Sequence, residues 1–213
     1  NSNFSIIDQD DQIRLVKNIC KSENIDIKKL APNYIISIIN TWKNKGLYPE
    51  KVLPSKKNIF EKGILKIYKI YQTKLIELNA CDFGDLILHC VNIFEKNNDL
   101  LEIYSNNFKY ILVDEYQDTN FIQSKWLNFL AKKHNNICCV GDDDQSIYSW
   151  RGAEIKNFLE FDKVYNNTKI IRLEKNYRST KNILEVASEI ISNNQNRVGK
   201  KLETTKDSGD LVK

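Results

Sequence analysis

Residues 137–153 read ICCVGDDDQSIYSWRGA, and this stretch says more about the fold than any other part of the sequence. It opens with a short apolar run closed by Gly141, which is the pattern of a β-strand. An acidic turn follows, and then two aromatic residues, Tyr148 and Trp150. Polar residues directly after a strand are typical of parallel α/β sheets, where ligands gather at the carboxyl ends of the strands.

Two more strands are predicted on the same pattern. Residues 110–113 form an apolar run that ends in Asp114 and Glu115, and residues 169–173 form another. Helical patterns separate these runs, and strands that alternate with helices predict βαβ units and a parallel sheet. A further strand start is possible at Leu211.

The chain before these strands, from residue 1 to about 105, is predicted to be helical throughout. Asp8 and Ser55 are predicted to cap helices. Apolar residues at spacings of three and four form stripes, which predict the core of a helix bundle more readily than a partner surface. The stripes comprise Ile13, Val16, Ile19 and Cys20; Tyr34, Ile35, Ile38, Ile39 and Trp42; Phe60, Ile64, Ile67, Tyr71, Leu75 and Leu78; and Phe83, Leu86, Ile87, Cys90 and Phe94.

The composition indicates a soluble, intracellular protein. Of the 213 residues 41% are hydrophobic and 28% are charged, and the net charge of +4 is only a weak sign of a polyanionic partner. The five cysteines lack CxxC spacing and are predicted to be buried, reduced thiols. No signal peptide or membrane-spanning run is apparent. Because the sequence lacks methionine and begins with Asn1, we expect a segment of a longer polypeptide.

Carboxylates at the strand ends are candidates for metal chemistry. Asp114 and Glu115 match an arrangement in which one carboxylate holds Mg²⁺ and the next activates a water, although solvated acidic residues are also common there. Asp118 and Thr119 are predicted to be helix caps. The three aspartates at 142–144 are predicted to form a solvated turn, in which Asp142 is best suited to support a metal.

Gln145 and Trp150 lie five residues apart, so that even an extended backbone keeps them within roughly 17 Å. Gln145 could contact a terminal phosphate or be an ordinary turn residue. Tyr148 and Trp150 could be core aromatics, but their polar surroundings and Arg151 favour a platform that stacks on the bases of a single strand. Nucleotide hydrolysis at Gln145 could then be coupled to the binding of a nucleic-acid strand at the two rings.

The polar cluster at residues 176–180 lies between a predicted strand and a predicted helix. With Ser179 or Thr180 as the cap, Arg178 would lie beside the helix amino end, where anions are favoured. An arginine there could neutralise a transferring phosphoryl group. A surface salt bridge is an equally good interpretation.

Three long motifs closely resemble successive motifs of the UvrD/PcrA/Rep helicases of superfamily 1. They are LVDEYQDTN at 112–120, VGDDDQSIYSWRGA at 140–153 and LEKNYRST at 173–180. In addition, DFGDLI at 82–87 resembles the family's Asp-Phe-x-Asp-Leu element, and NFSIID at 3–8 resembles the start of its helical insertion. The resemblance covers essentially the whole chain, in order.

The resemblance implies a role for each residue of the nucleotide site. Asp114 would hold Mg²⁺, and Glu115 would activate the attacking water. Gln145 would contact the γ-phosphate of ATP, Tyr177 would stack on the adenine, and Arg178 would act as an arginine finger.

The resemblance also implies DNA contacts. Tyr148 and Trp150 would stack on bases of single-stranded DNA with Arg151 nearby, and Phe83 would be a further base contact. The partners would be single-stranded DNA and single/double-strand junctions, with repair proteins as further candidate partners, in the cytoplasm at the nucleoid. The implied activity is that of an ATP-dependent 3′-to-5′ helicase or translocase in repair or replication.

The implied fold class is α/β, a partial RecA-like P-loop NTPase parallel sheet with an all-helical, 1B-like insertion on its N-terminal side. Residues 1–80 would form the insertion, 81–167 the later part of the first RecA-like domain, and 168–213 the start of the second.

The sequence departs from the family in lacking a Walker A motif, G-x-x-x-x-G-K-[ST]. Gly199-Lys200 is followed by Lys201, and Asn194 stands where the first glycine belongs. We therefore expect the full protein to be an ATP-driven helicase and this segment alone to be inactive. Two alternatives are a motor subunit of a helicase–nuclease recombination complex and a non-catalytic DNA-binding remnant of a split gene.

Overall fold

The structure is a computed structural model that describes residues 3–54, 60–194, 197 and 199–213. The predicted cap Ser55 lies outside the described residues. Helices dominate the first half of the chain, and short parallel strand pairs connect the rest. The helices are α1 (Gln9–Ser22), α2 (Pro32–Asn44), α3 (Glu61–Glu77), α4 (Phe83–Lys96), α5 (Asn98–Asn107), α6 (Phe121–Ala131), α7 (Ile155–Leu159), α8 (Phe161–Val164) and α9 (Lys181–Ile191). The strands are β1 (Ser5–Ile7), β2 (Ala80–Asp82), β3 (Ile111–Val113), β4 (Ile137–Cys139), β5 (Lys175–Asn176) and β6 (Glu203–Thr204).

The predicted helix-bundle core is confirmed for most of its residues, but Tyr34, Phe60 and Leu78 from the predicted stripes are exposed. Asp8 caps α1, and its carboxylate accepts a hydrogen bond of 2.9 Å from the backbone N–H of Asp11. Helices α1, α2 and α3 pack through one apolar cluster, which forms because each helix carries its apolar residues on one face. The cluster includes Val16, Ile19, Cys20, Ile35, Ile39, Trp42, Ile64, Ile67, Tyr68, Tyr71 and Leu75.

The first hundred residues are not helical throughout, because β1 and β2 form a parallel pair. Ser5 pairs with Ala80 and Ile7 pairs with Asp82. Each strand has three residues, too few to give a period in the sequence, and the partners are about 75 residues apart along the chain. The pairing brings the start of α1 beside the start of α4.

Strands β3 and β4 form the predicted parallel unit around α6. Ile111 pairs with Ile137 and Val113 pairs with Cys139. Beyond the strands, the N–H of Val140 donates to the carbonyl of Val113, and the N–H of Tyr116 donates to the carbonyl of Val140. The two polar segments that follow these strands therefore leave the sheet side by side.

The strand predicted at residues 169–173 is wrong. These residues have no regular secondary structure, and the apolar side chains of Ile170, Ile171 and Leu173 are exposed. A strand requires the backbone of a neighbour to satisfy its N–H and C=O groups. Within the described parts of the chain, no strand pairs with this run.

A strand forms two residues later instead. Strand β5 pairs in parallel with β6 as a separate two-stranded sheet, with Lys175 opposite Glu203. Leu211 does not begin a strand and is exposed, and among the described residues no strand pairs with it.

The five cysteines are free thiols, as predicted, but they are not all buried. Cys20 lies in the helical core, whereas Cys90 and Cys138 are exposed. Cys138 lies between two strand neighbours whose side chains point to the other face of the sheet. Among the described residues, no helix combines the length and apolar character needed to cross a membrane.

Candidate functional site

The carboxylates that follow β3 sit in a tight turn. Glu115 has a left-handed backbone conformation, with φ at +50°, which is uncommon for a residue with a side chain. One carboxylate oxygen of Asp114 accepts the N–H of Glu115 at 2.9 Å, which helps to hold this conformation. Both side chains are exposed, so both carboxylates can reach a ligand.

Gln117 connects this turn to the segment after β4, and sequence reasoning gave it no role. Its side chain is almost completely buried. Its Nε2 donates to Glu115 Oε2 at 2.7 Å, and its Oε1 accepts from the backbone N–H of Asp142 at 3.0 Å. A buried amide with both ends bonded can orient the Glu115 carboxylate. The signal in the sequence was a glutamine two residues after a pair of strand-end acids.

Gly141 makes this bridge possible. A Cβ atom at this position would lie 2.6 Å from Gln117 Oε1 and 2.8 Å from a ring carbon of Phe158. Both separations are shorter than any normal contact, so a side chain here would displace the Gln117 amide.

Gln145 joins the same network. Its Nε2 donates to Asp142 Oδ2 at 2.7 Å, while Asp142 Oδ1 accepts the N–H of Asp144 at 3.0 Å. A continuous path of hydrogen bonds therefore runs from Glu115 through Gln117 and Asp142 to Gln145.

Asp142 and Asp144 are not the solvated turn residues that the sequence predicted. Arg197 forms two hydrogen bonds to the Asp144 carboxylate, at 2.9 and 2.7 Å, and Lys200 forms an ion pair with Asp142. Burial pushes the pKa of Asp142 upwards, but the hydrogen bonds from Lys200 and Gln145 outweigh this and hold the pKa below its usual range. These carboxylates are engaged by cations of the chain itself.

Asp114 fits Mg²⁺ better than Asp142 does. The carboxylate oxygens of Asp142, Asp143 and Asp144 come within 4.8 Å of one another, but two of these side chains already pair with Lys200 and Arg197. Asp114 offers an exposed carboxylate that forms no ion pair with any described residue. Because Mg²⁺ prefers oxygen ligands and keeps several waters, one such carboxylate suffices.

The aromatic pair beyond Gln145 is a surface feature. Trp150 is 78% exposed, which excludes a place in the core. The ring centroids of Tyr148 and Trp150 are 6.3 Å apart, and Arg151 Cζ lies 5.5 and 5.7 Å from them. Two exposed aromatic rings with a cation close to both match the device that proteins use to stack on unpaired bases.

Asn44, at the end of α2, anchors this aromatic turn and was missed from the sequence. Its Nδ2 donates to the carbonyl of Arg151 at 3.1 Å, and its Oδ1 accepts from Asn120 Nδ2 at 3.1 Å. Gly152 has a φ of +90°, and a Cβ there would lie 2.9 Å from the Asn44 amide nitrogen. No local pattern marks a residue that acts across a hundred positions.

Asn120 caps α6, and neither Asp118 nor Thr119 does. The Asn120 side chain accepts the N–H of Gln123, and the Gln123 side chain accepts the N–H of Asn120. Asp118 ends a single 3-10 turn, which moves the start of the helix two residues along the chain. Its Oδ1 is buried without a hydrogen-bond partner among the described residues.

Tyr177 and Arg178 lie on an exposed turn after β5. The side chain of Asn176 accepts the N–H groups of Arg178 and Ser179 and so fixes the turn. Lys175 Nζ lies 5.3 Å from the centre of the Tyr177 ring. Among the described residues, neither Tyr177 nor Arg178 makes a side-chain hydrogen bond or ion pair with the carboxylates after β3 or with Gln145.

The amino end of α9 is not open to an anion, contrary to expectation. Thr180 occupies the cap position but makes no side-chain cap bond. The N–H groups of Lys181 and Asn182 donate to the carbonyls of Asp207 and Ser208. The carbonyl groups of Asp207 and Ser208 therefore occupy the position in which an anion would bind these N–H groups.

Phe83 is the first residue of α4 and is 63% exposed, so its predicted place in the apolar stripe of that helix is wrong. Exposure leaves the second interpretation, a base contact, open. The buried face instead carries Asp85, Leu88, Val91 and Phe94. The stripe is displaced because Asp85 turns inwards to meet a buried lysine, Lys43.

Comparison with known proteins identifies the class. Residues 1–166 match the family model of the UvrD/REP helicase N-terminal domain, and residues 171–213 match that of the UvrD-like helicase C-terminal domain. The chain belongs to the UvrD/REP helicase family, which confirms the resemblance seen in the motifs.

Individual relatives carry more specific names. The chain is 50% identical over 214 residues to a probable DNA helicase II homolog of Rickettsia felis, covering 100% of the chain and 33% of that protein. It is 46% identical over 210 residues to the ATP-dependent DNA helicase PcrA of Staphylococcus epidermidis, covering 99% of the chain and 29% of that protein. For PcrA of Bacillus subtilis the identity is 45% over 209 residues, covering 98% and 28%. The chain thus spans about a third of the length of these relatives.

Proposed function

We propose that this chain forms part of an ATP-driven DNA helicase that moves 3′ to 5′ along single-stranded DNA. The observation that carries the proposal is the path of hydrogen bonds from Glu115 to Gln145, which lies five residues before the exposed ring of Trp150. A change at a bound phosphate can pass along this path to a stacked base.

The nucleotide side of the proposal uses five residues. Asp114 would hold Mg²⁺, which neutralises phosphate charge when bound. Glu115, oriented by its neighbours, would position and deprotonate the attacking water. Gln145 would contact the γ-phosphate, Tyr177 would stack on the adenine, and Arg178 would neutralise charge on the transferring group.

The DNA side of the proposal uses the exposed aromatic residues. Tyr148 and Trp150 would stack on unpaired bases, Arg151 would contribute its charge, and Phe83 would contact another base. Stacking is possible on any base, so the strand is held without sequence preference. We further propose single/double-strand junctions as substrates and work at the nucleoid in repair or replication.

The architecture proposed with this function has three parts. Residues 1–80 would be the helical, 1B-like insertion, 81–167 the later part of a first RecA-like domain, and 168–213 the start of a second. The parallel β3–α6–β4 unit, with polar clusters after both strands, supports the RecA-like assignment.

Trp150→Ala is expected to weaken binding of single-stranded DNA by about 1–3 kcal/mol, because a stacked base loses its partner. The change should be made in a helicase of the relatives' length that carries this segment. Fluorescence anisotropy with a labelled oligothymidylate measures the DNA affinity, and nucleotide affinity should not change. Ile147→Ala, in the same loop, is the matched control, since Ile147 is exposed but has no aromatic ring. Equal losses in both variants would argue against stacking.

The 213-residue chain alone is expected to show no Mg²⁺-dependent ATP turnover. Its sequence has no Walker A loop and no Walker A lysine, and so lacks the usual cradle for the phosphates. Phosphate release in the presence of single-stranded DNA measures this, with Glu115→Gln as the control for contaminating activity. Turnover by the parent chain above that of the control would contradict the prediction.

A further inference from the structure

Lys43 is a completely buried lysine near the end of α2. Its ammonium group lies 2.6 Å from Asp82 Oδ2 and 2.7 Å from Asp85 Oδ1. The hydroxyl of Tyr71 also donates to Asp82 Oδ2, and Gln72 Nε2 donates to Asp85 Oδ1. Taking three charges out of water is costly, so the geometry of this cluster is strongly fixed.

The same two carboxylates determine how α4 begins. Asp82 is the cap of α4 and accepts the N–H of Asp85, while the Asp85 side chain accepts the N–H of Asp82. Phe83 lies between them. A Cβ on Gly84 would lie 3.0 Å from Lys43 Cδ, so the lysine packs directly under the first turn of the helix. Lys43 therefore fixes the place from which Phe83 projects.

The next residue, Asn44, holds the other aromatic element. Its amide donates to the carbonyl of Arg151, directly after Trp150, and accepts from Asn120, which caps α6. Adjacent Cα atoms are about 3.8 Å apart across a peptide bond. The contacts that fix Phe83 and Trp150 are thus made by two consecutive residues of one helix end.

We propose that Lys43 and Asn44 are positioning residues that hold Phe83 and Trp150 at a fixed separation, so that both engage one single strand of DNA. This inference rests on the proposed function. It assigns a part in DNA binding to the end of α2, whose own side chains need not touch DNA. Through Asn120, Asn44 also ties the DNA-contacting turn to the loop after β3.

The test is a set of double-mutant cycles in a helicase of the relatives' length that carries this segment. Asn44→Ala is combined separately with Trp150→Ala and with Phe83→Ala, and affinity for a labelled oligothymidylate is measured. Asn44→Ala alone is expected to weaken binding roughly threefold to thirtyfold. Asn44→Ala should cause little further loss of DNA affinity when Trp150 is already alanine. When Phe83 is alanine, it should lower the affinity as much as it does in the parent.

Asp85→Asn provides the opposite arm. It leaves Lys43 paired with Asp82, so that the buried charges balance and the protein should fold. Asp85→Asn should lower DNA affinity in the Trp150→Ala background. It should cause no further loss in the Phe83→Ala background. Asn44→Asp keeps the acceptor for Asn120 but replaces the amide donor to the Arg151 carbonyl with a negatively charged oxygen, so it should weaken binding at least as much as Asn44→Ala does.

The outcomes separate the two proposals. If Trp150→Ala and Phe83→Ala bind DNA as the parent does, the proposed DNA contacts are wrong and the inference fails with them. If both weaken binding while Asn44→Ala and Asp85→Asn have the same effect in every background, the DNA contacts stand and the positioning role is overturned. A general loss of folding would lower affinity in all backgrounds alike and would give this second result.

Discussion

Arg178→Ala is expected to lower ATP turnover by about 10³–10⁵-fold in a helicase of the relatives' length that carries this segment, because an arginine finger neutralises charge on the transferring phosphoryl group. Affinity for single-stranded DNA should stay the same, since the proposed base contacts are on other elements. Steady-state phosphate release at saturating DNA measures the first quantity, and anisotropy measures the second.

The structure explains why the Arg178 side chain is available. It is exposed, and it forms no ion pair with any described carboxylate. Only its backbone is held, by Asn176 at the N–H and by Lys206 at the carbonyl. Because Arg178 does not contact Glu115 or Gln145, the expected effect requires the two segments to approach each other when nucleotide binds.

Two variants control this experiment. Arg172→Ala removes an exposed arginine from the same segment and should leave turnover close to that of the parent. Arg178→Lys keeps the positive charge but loses the planar fork that matches phosphate, so its turnover should be intermediate. Turnover of Arg178→Ala within about tenfold of the parent would refute the assigned role.

Lys43→Met is expected to lower the free energy of unfolding by about 3–5 kcal/mol, because it leaves the carboxylates of Asp82 and Asp85 buried without a cation. Urea denaturation followed by circular dichroism measures the change. Adding Asp82→Asn and Asp85→Asn should recover part of the loss, since no charge then remains buried.

Lys66→Met is the matched control on the neighbouring helix. Lys66 forms an ion pair with Glu23, but its side chain is 65% exposed. Exposed pairs of this kind contribute about 0–1 kcal/mol, so the expected effect is small. Similar losses for Lys43→Met and Lys66→Met would show that the buried cluster contributes no special stability.

The hydrogen-bond path from Glu115 to Gln145 is the physical connection by which the proposed motor would couple nucleotide hydrolysis to DNA binding. The Gln117 carboxamide cannot rotate without breaking a hydrogen bond at one of its ends. A movement of the Glu115 carboxylate therefore also moves the hydrogen bond to the N–H of Asp142. The aromatic turn is fixed separately by Asn44. The groups proposed to contact nucleotide and those proposed to contact DNA are therefore both held by residues of neighbouring elements.

Local periodicity predicted much of this protein correctly. The stripes of the first three helices, for most of their residues, the β3–α6–β4 unit and the polar clusters after its strands follow from neighbours within about ten positions, where spacing alone tells which side chains share a face. The polar surroundings of Trp150 likewise predicted its position outside the core.

The features that the sequence did not predict depend on contacts between distant parts of the chain. The β1–β2 pair, the burial of Lys43, the anchor at Asn44 and the failure of residues 169–173 to form a strand each depend on which partner lies alongside. A backbone group or a charge is stable only if its partner is present. Which partner that is becomes fixed only when elements tens of residues apart pack together.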